Sequence, residues 1–453
     1  MKPNIVKPKT LSGFMELLPK EQLQFNKIKA ALERVYGLYG FYPLDTPVLE
    51  YAEILFAKAG GETEKQVYRF TKGDTDLAMR FDLTVPLAKY VAKNYSELTF
   101  PFKRYQIGKV YRGERAQKGR FREFYQSDID IIGDGELSTI NDAEIPSIIY
   151  NIFTELGLDD FTIRINNRKV LSGFFAMLSL DEKAGDIMRA VDKIEKLGRD
   201  TVLRELLELE IDGELCEKIL GFIEIKGENE QIIEKLRALS DGNELFENGV
   251  GELELVAKCI DAFDVPRKNY RIDLSIARGL DYYTGTVYET TFNTHPEIGS
   301  ICSGGRYDNL AGYYTEKQLP GVGISIGLTR LFYILNEMNY IGGGANSPAD
   351  VLIIPMTDEL SHAIGASSVL RKSGIRTQIY FENKKFKHRI GYADKQGIPF
   401  AVFLGEEEIA QNMVKLKNMI SGEQSCLTIS EAVQVISEYL MSASEVKMID
   451  INR

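Results

Sequence analysis

Histidine is scarce in this sequence: His295, His362 and His388 are the three among 453 residues, and they stand far apart. Imidazoles so few and so dispersed make no obvious catalytic triad or imidazole metal site. Cysteine is nearly as rare. Cys216, Cys259, Cys302 and Cys426 show no C-x-x-C spacing, which argues against a disulfide framework or zinc ribbon and fits a reducing cytoplasm. No apolar run approaches the ~18 residues needed to span a bilayer, and the opening MKPNIVKPKTLSGF lacks the apolar core of a secretory signal. There is no G-x-x-x-x-G-K-[ST] loop, and the glycines Gly321, Gly323 and Gly327 are wrongly spaced for a dinucleotide fingerprint. Any nucleotide must be held by other means.

What is present describes a folded, multidomain chain. Hydrophobic residues make up 44% and charged residues 27%, and the length corresponds to about three structural units at ~150 residues each. The net charge of −11 disfavours a nucleic-acid partner until its distribution is read. Asp181 to Lys258 holds 21 acidic and 11 basic residues, a balance of −10, so the rest is nearly neutral. Lys103 to Glu123 holds 8 basic residues against 2 acidic. Such runs are commonly solvated faces, but a local basic ribbon also binds phosphates.

Periodicity predicts a mixed first region. Gln22–Tyr39 has helical spacing, Val67–Phe70 and Leu77–Phe81 read as strands about a Lys72-Gly73-Asp74 turn, and Leu83–Lys93 is a helix capped by Asp82 or Thr84. Lys103–Arg112 and Arg122–Ile132 read as a hairpin with a long basic tip, and Asn141–Leu156 as a helix. The acidic stretch is helical in pattern. Strands are expected at Tyr270–Ala277, Gly285–Phe292 and Ile298–Gly304, then a strand turning into a helix over Gly323–Glu337. Ile341–Ser347 (IGGGANS) reads as a linker. Beyond it, strands at Val351–Pro355, Arg376–Phe381 and Phe400–Leu404 alternate with helices ending at Gly374 and Gly397, which predicts a small α/β domain with a parallel sheet.

Three clusters carry candidate chemistry. In the hairpin, Arg112, Arg115, Lys118, Arg120 and Arg122 offer forks for phosphate oxygens, and Phe124 a ring to stack on a base. On the return strand, Asp128 and Asp130 share one face and have a structural alternative as partners of Arg122. The second cluster, Arg278-Gly-Leu-Asp-Tyr-Tyr-Thr-Gly285, packs a cation, a carboxylate and two phenols between glycines; the third, Cys302–Asp308, reads as a tight glycine turn before a helix.

With these motifs in hand, nearly the whole chain resembles the class II histidyl-tRNA synthetase family. Lys103–Gly133 is similar to its second class II motif, RGLDYYTGTVYE (Arg278–Glu289) and SGGRYDNL (Ser303–Leu310) to its histidine signatures, and GVGISIGLTRL (Gly321–Leu331) to its third motif. Tyr392–Ile409 is similar to its anticodon-binding domain, whereas LSGFMELLP (Leu11–Pro19) departs from the usual first-motif opening. The resemblance implies an α/β and α+β multidomain protein. Its catalytic domain (1–340) would be an antiparallel sheet with a helical insertion at about 176–258; a linker (341–347) and an α/β anticodon-binding domain (348–453) would follow. It implies ATP as substrate with Mg²⁺, L-histidine and tRNA(His) as ligands, a cytoplasmic homodimer and no membrane partner.

By the same resemblance, Arg112 and Arg278 are the catalytic cations. Arg112 and Arg330 hold ATP phosphates with Arg120, Glu114 lies at the adenine, and Phe124 stacks on it. Asp82, Thr84 and Gln126 receive the histidine α-amino group; Asp130 and Tyr283, beside Tyr282, read the imidazole. Gln117 and Lys118 approach the tRNA acceptor end. No residue set is assigned to a metal. The rival is the histidine-sensing regulatory subunit of ATP phosphoribosyltransferase, a paralogue that typically lacks the C-terminal domain and degrades the RGLDYYTG signature. A class II synthetase for another amino acid is a third alternative, against which the histidine signatures speak.

Overall fold

A computed structural model describes residues 5–57, 62–115, 119–277, 283–338 and 347–444. The chain divides into two compact units, Met1–Glu16 with Lys29–Glu337, and Leu17–Ile28 with Met338–Arg453. The strands are β1 (Tyr42–Pro43), β2 (Leu49–Tyr51), β3 (Arg69–Lys72), β4 (Thr75–Met79), β5 (Phe102–Tyr111), β6 (Glu123–Ile132), β7 (Phe161–Asn167) and β8 (Tyr270–Ile272). They continue with β9 (Thr286–Phe292), β10 (Cys302–Tyr307), β11 (Gly321–Ile326), β12 (Val351–Pro355), β13 (Thr377–Ile379), β14 (Phe400–Leu404), β15 (Val414–Asn418) and β16 (Gln424–Leu427).

In the first unit eight strands form one sheet in the order β1-β5-β6-β11-β10-β9-β7-β8. The inner six pair antiparallel throughout, and both edges, β1 on β5 and β8 on β7, pair parallel. The long hairpin is as expected: all ten residues of β5 pair with β6, burial alternates along most of β5, and β6 is buried on both faces from Gln126 onward. Parallel pairing of β7 with β8 demands a long crossover. The helix Arg168–Met177 and the acidic segment supply it. That segment folds into helices between Ala184 and Ala262 around buried Ile187, Leu206, Leu220, Leu236 and Leu253. The helix Thr84–Lys93 starts where Asp82 Oδ1 accepts from the backbone N–H groups of Thr84 (3.1 Å) and Val85 (2.9 Å), so Asp82 is the cap.

Three expectations need correction. Cys302–Tyr307 is a central strand, not a glycine turn, and it starts four residues later than the predicted Ile298–Gly304 strand; a 3₁₀ turn occupies Pro296–Ile298. Glycine is required there by crowding: a Cβ on Gly304 would lie 2.1 Å from the Gly323 carbonyl oxygen. The predicted Tyr270–Ala277 strand ends at Ile272; Asp273 then accepts from the Ser275 N–H and hydroxyl, turning the chain.

The third correction concerns the second unit, whose sheet, ordered β13-β12-β14-β15-β16, is mixed: β13, β12 and β14 are parallel, β15 and β16 antiparallel. The added hairpin buries Val414 and Leu416 against Phe400 and Val402. Gly374 and Gly397 take positive φ of 79° and 67° just past their helices, as their positions predict. Most of the predicted linker lies outside the described residues. Its last residue, Ser347, is buried, and its Oγ donates to the Ala349 carbonyl (2.7 Å).

Candidate active site

The first unit holds a cleft of about 1120 Å³ against the central sheet. Its floor follows from strand alternation: Gln126, Asp128 and Asp130 occupy successive same-face positions on β6, and all three are buried. Across the sheet, Asp130 pairs in register with Arg104 on one side and Gly323 on the other; Asp128 pairs with Gln106 and Ser325. The absence of a side chain at Gly323 makes room for the carboxylate, since a Cβ there would lie 2.3 Å from Asp130 Oδ1. Gly305 likewise leaves space for the ring of Tyr283, which lines the cleft.

Each oxygen of Asp130 has a partner within the sheet. Its Oδ2 lies 2.5 Å from Arg104 Nη2, and its Oδ1 accepts from the Tyr307 hydroxyl at 2.8 Å. Burial raises its carboxyl pKa, against the opposing pull of Arg104 and Tyr307. The structural partner considered from sequence, Arg122, is wrong. Arg122 instead donates to the backbone carbonyls of Glu114 (3.0 Å) and Ser12 (3.4 Å) at the hairpin tip.

Asp128 is less well served. Burial, reinforced by the negative charges of Asp130 and Asp82, pushes its carboxyl up to about 7 although Arg104 and Ser325 favour ionisation. Its Oδ1 has no hydrogen-bond partner, and neither has Gln126 Oε1, while Gln126 Nε2 donates to Ser325 Oγ at 2.7 Å.

At the cleft wall Arg112 follows β5 directly. Its Nε donates to the Phe81 carbonyl (3.3 Å), and its guanidinium lies over the rings of Phe81 (4.4 Å) and Phe124 (5.1 Å). Stacking between two rings orients a cation. Asp82 and Thr84 also face the cleft, and the helical segment closes it with Arg189, Lys193 and Glu205.

The sequence-predicted residues therefore divide. Asp82, Thr84, Arg112, Gln126, Asp130 and Tyr283 share the cleft. Glu114 and Arg120 sit in the hairpin loop, 4.0 Å apart. Phe124 reaches the site through Arg112. Arg330 is bound to backbone, donating to the Ser300 (3.0 Å) and Ile298 carbonyls. Gln117, Lys118, Arg278 and Tyr282 lie outside the described residues. Arg168 holds both flanks of the segment bearing Arg278: its Nη1 donates to the Ala277 carbonyl (2.8 Å) and its backbone N–H to Gly285 (2.9 Å).

Sequence reasoning missed Arg104, Tyr307, Ser325 and Arg168. For Arg104 a signal existed, because closing the hairpin on Arg112 and Arg122 sets Arg104 opposite Asp130. Among the described residues, no group of three or more His, Cys, Asp or Glu could hold a metal ion, and no helix is long and apolar enough to cross a membrane.

Comparison with known proteins gives a consistent result. The profile of the family described as histidyl-tRNA synthetase matches residues 13–331, and that of the anticodon binding domain residues 350–439. The histidine–tRNA ligase of Clostridium tetani is 56% identical over 437 residues, covering 96% of this chain and 99% of its own. That of Finegoldia magna is 47% identical, over 95% and 99%. Among solved structures, histidyl-tRNA synthetase from Nostoc sp. PCC 7120 superposes with a TM-score of 0.90 at 41% identity, covering 96% of this chain and all of that one. A Bacillus halodurans protein described as an ATP phosphoribosyltransferase regulatory subunit/histidyl-tRNA synthetase matches at a TM-score of 0.72 and 20% identity, over 88% and 99%, a likeness of fold alone.

Proposed function

The chain belongs to the histidyl-tRNA synthetase family and is a histidine–tRNA ligase, a class II aminoacyl-tRNA synthetase; from that premise we propose how its residues divide the reaction. The histidine carboxylate attacks the α-phosphorus of ATP, pyrophosphate leaves, and histidyl-adenylate forms. The acyl carbon then passes to a ribose hydroxyl of the terminal adenosine of tRNA(His), and AMP departs. The nucleophile of the first step is already ionised, so the protein's task is to orient two anions and neutralise their repulsion. Arg112 meets this need at the cleft wall; Arg278 is assigned to the same carboxylate and α-phosphate, and Arg120 and Arg330 to the outer phosphates. Glu114 and Phe124 receive the adenine.

Histidine lies on the floor. Asp82, Thr84 and Gln126 take its α-ammonium group, and Asp130 accepts from one imidazole nitrogen while Tyr283, next to Tyr282, reads the other. A site that leaves buried polar groups unpaired when an isostere lacks those protons discriminates strongly. Asp82 has one oxygen engaged in capping its helix, and the other remains for the substrate. Mg²⁺ would arrive with the ATP phosphates and supply further charge neutralisation; the described residues offer no ligand cluster for it, and no step is assigned to it.

Gln117 and Lys118 at the hairpin tip, and the second unit with exposed Lys384, Lys385 and Lys387, are the surfaces we assign to tRNA. The same reading includes a homodimer and a cytoplasmic location, which suits the unpaired cysteines.

The observation that carries this reading is a single cleft in which a buried carboxylate row, Asp128 and Asp130, ends at the stacked cation Arg112. Pyrophosphate exchange with each of the twenty amino acids tests it. Exchange with histidine alone is expected, exchange with another amino acid overturns the substrate assignment, and none at all favours a histidine-sensing protein.

A further inference from the structure

Two acceptors in the cleft floor have nothing to accept from. Gln126 Oε1 and Asp128 Oδ1 are both buried without a hydrogen-bond partner, on consecutive same-face positions of β6, in side chains 8% and 2% exposed. A buried acceptor left unmade costs more than a typical hydrogen bond gains, so such atoms call for a donor that the free protein lacks. Two of them side by side in a substrate cleft call for a group with several N–H bonds.

Resting on the histidine-ligase reading above, we propose that Asp128 is a specificity-determining residue that accepts a hydrogen bond from the α-ammonium group of the amino-acid substrate, alongside Gln126. An ammonium carries three N–H donors and a positive charge. Gln126 supplies an acceptor without charge, and Asp128 supplies the anion. Asp130 already has a partner on each oxygen, Arg104 and Tyr307, and is assigned to the imidazole, so the α-ammonium group needs another carboxylate.

The surroundings of Asp128 fit a group that becomes anionic when a cation arrives. Arg104 on β5 is already paired to Asp130. Asp130 on β6 and Asp82 before the Thr84 helix both repel a second negative charge. Ser325 on β11 favours the ionised carboxyl, and Cys302 on β10 is raised chiefly by its own burial and then by the Asp128 charge. Burial therefore raises the carboxyl, to about 7. An ammonium docked on Oδ1 would favour the ionised form.

The test compares two ligands on the full-length protein: L-histidine and imidazolepropionic acid, which keeps the ring and carboxylate but lacks the α-amino group. Titration calorimetry on Asp128→Asn is expected to show histidine bound ten- to a hundredfold more weakly, the usual scale for a hydrogen bond to a charged group. Imidazolepropionate should weaken less than about threefold on the same scale. Asp128→Ala, which removes the acceptor without adding donors, should show the same selectivity.

Equal losses for both ligands would overturn the proposal, assigning Asp128 to the support of Arg104 instead, and unchanged histidine affinity would overturn it outright. The wild-type protein crystallised with L-histidine gives a test independent of any variant. The α-nitrogen is expected within about 3.2 Å of Asp128 Oδ1, and a separation beyond about 4 Å contradicts the assignment. Histidine-dependent pyrophosphate exchange by the unaltered protein checks the underlying reading separately, so a failure of either is recognised on its own.

Discussion

Arg104 and Asp130 face each other across the β5–β6 hairpin, Nη2 to Oδ2 2.5 Å apart, with the guanidinium wholly removed from solvent. Arg104 Nε and Nη1 have no acceptors, so the ion pair stands with little other support on the arginine side. Its second carboxylate oxygen is tied to Tyr307, which joins the hairpin to β10. The carboxylate proposed to read the imidazole is thus also tied into the sheet, and one substitution at Asp130 alters both roles at once.

A double-mutant cycle separates them. Removing either partner leaves a buried charge uncompensated, and Arg104→Met or Asp130→Asn should each cost about 3–5 kcal/mol of unfolding free energy. The double variant should cost far less than the sum, because neither buried charge remains. Histidine affinity should stay low in both Asp130→Asn backgrounds while stability recovers in the double. Denaturant unfolding beside histidine titration reads both quantities, and simple additivity of the two stability losses would show that the pair is not energetically coupled.

Asp128 gives stability a pH dependence of known sign. Its folded pKa is raised to about 7 by burial. Between the ordinary value of 3.8 and 7 the unfolded chain has lost the proton that the folded chain keeps. The unfolded state binds fewer protons in that window, so stability falls as pH rises through it and levels off above. Arg104, Asp130, Asp82, Ser325 and Cys302 are the groups whose charge or hydrogen bonding enters this balance. Asp128→Asn removes the titration; relative to wild type it should gain about 2–4 kcal/mol between pH 4 and pH 7.5. Unfolding curves for both proteins across that range give the answer. A constant difference would mean that Asp128 titrates normally.

Much of the architecture was legible from the sequence, and the exceptions have a common cause. The β5–β6 hairpin, the cap at Asp82 and the stops at Gly374 and Gly397 are local events, written in alternation, capping chemistry and positive φ. Cys302–Tyr307 was misread because adjacent glycines signal a turn when neighbours are unknown. Here they answer to the Gly323 carbonyl and the Tyr283 ring, contacts made by distant segments. The β15–β16 hairpin escaped although Ser421-Gly422 marks its turn, with Gly422 at a positive φ of 81°. Asp130 was found through a motif, yet its partners Arg104 and Tyr307 are separated from it by 26 and 177 positions. For Asp128 the sequence offers only a place beside Asp130 on one strand face, since an orphaned oxygen exists only in three dimensions.

The second unit carries a prediction about salt. Lys384, Lys385 and Lys387 are exposed at the start of the helix Phe386–Gln396, whereas Arg389 is spent internally, donating to the Pro355 (2.5 Å) and Lys384 (2.6 Å) carbonyls. Replacing the three lysines with alanine should raise KM for tRNA and lower the slope of log affinity against log salt by about 2–3. Histidine-dependent pyrophosphate exchange should be unchanged, because the cleft lies in the first unit. Filter binding at several salt concentrations provides the slope. A slope equal to wild type would remove these lysines from the tRNA surface, and a fall in pyrophosphate exchange would show that they act on the catalytic unit.

Arg278 carries the strongest kinetic expectation. It opens the signature whose flanks at Ala277 and Gly285 are both fastened to Arg168. Negative charge builds on the α-phosphate oxygens as the histidine carboxylate attacks, so a fixed guanidinium contributes more in the transition state than in the ground state. Losing one preorganised donor of this type costs about 10²–10³ in rate. Arg278→Ala should therefore slow single-turnover adenylate formation by that factor while leaving the melting temperature and histidine affinity near wild type. Arg278→Lys keeps the charge without the bidentate fork and should recover only part of the loss. If Arg278 instead holds its turn together, melting and activity will fall in parallel and lysine will rescue neither. Near-normal turnover in Arg278→Ala would remove it from the chemistry altogether and leave Arg112 as the sole cation assigned to the reacting phosphate.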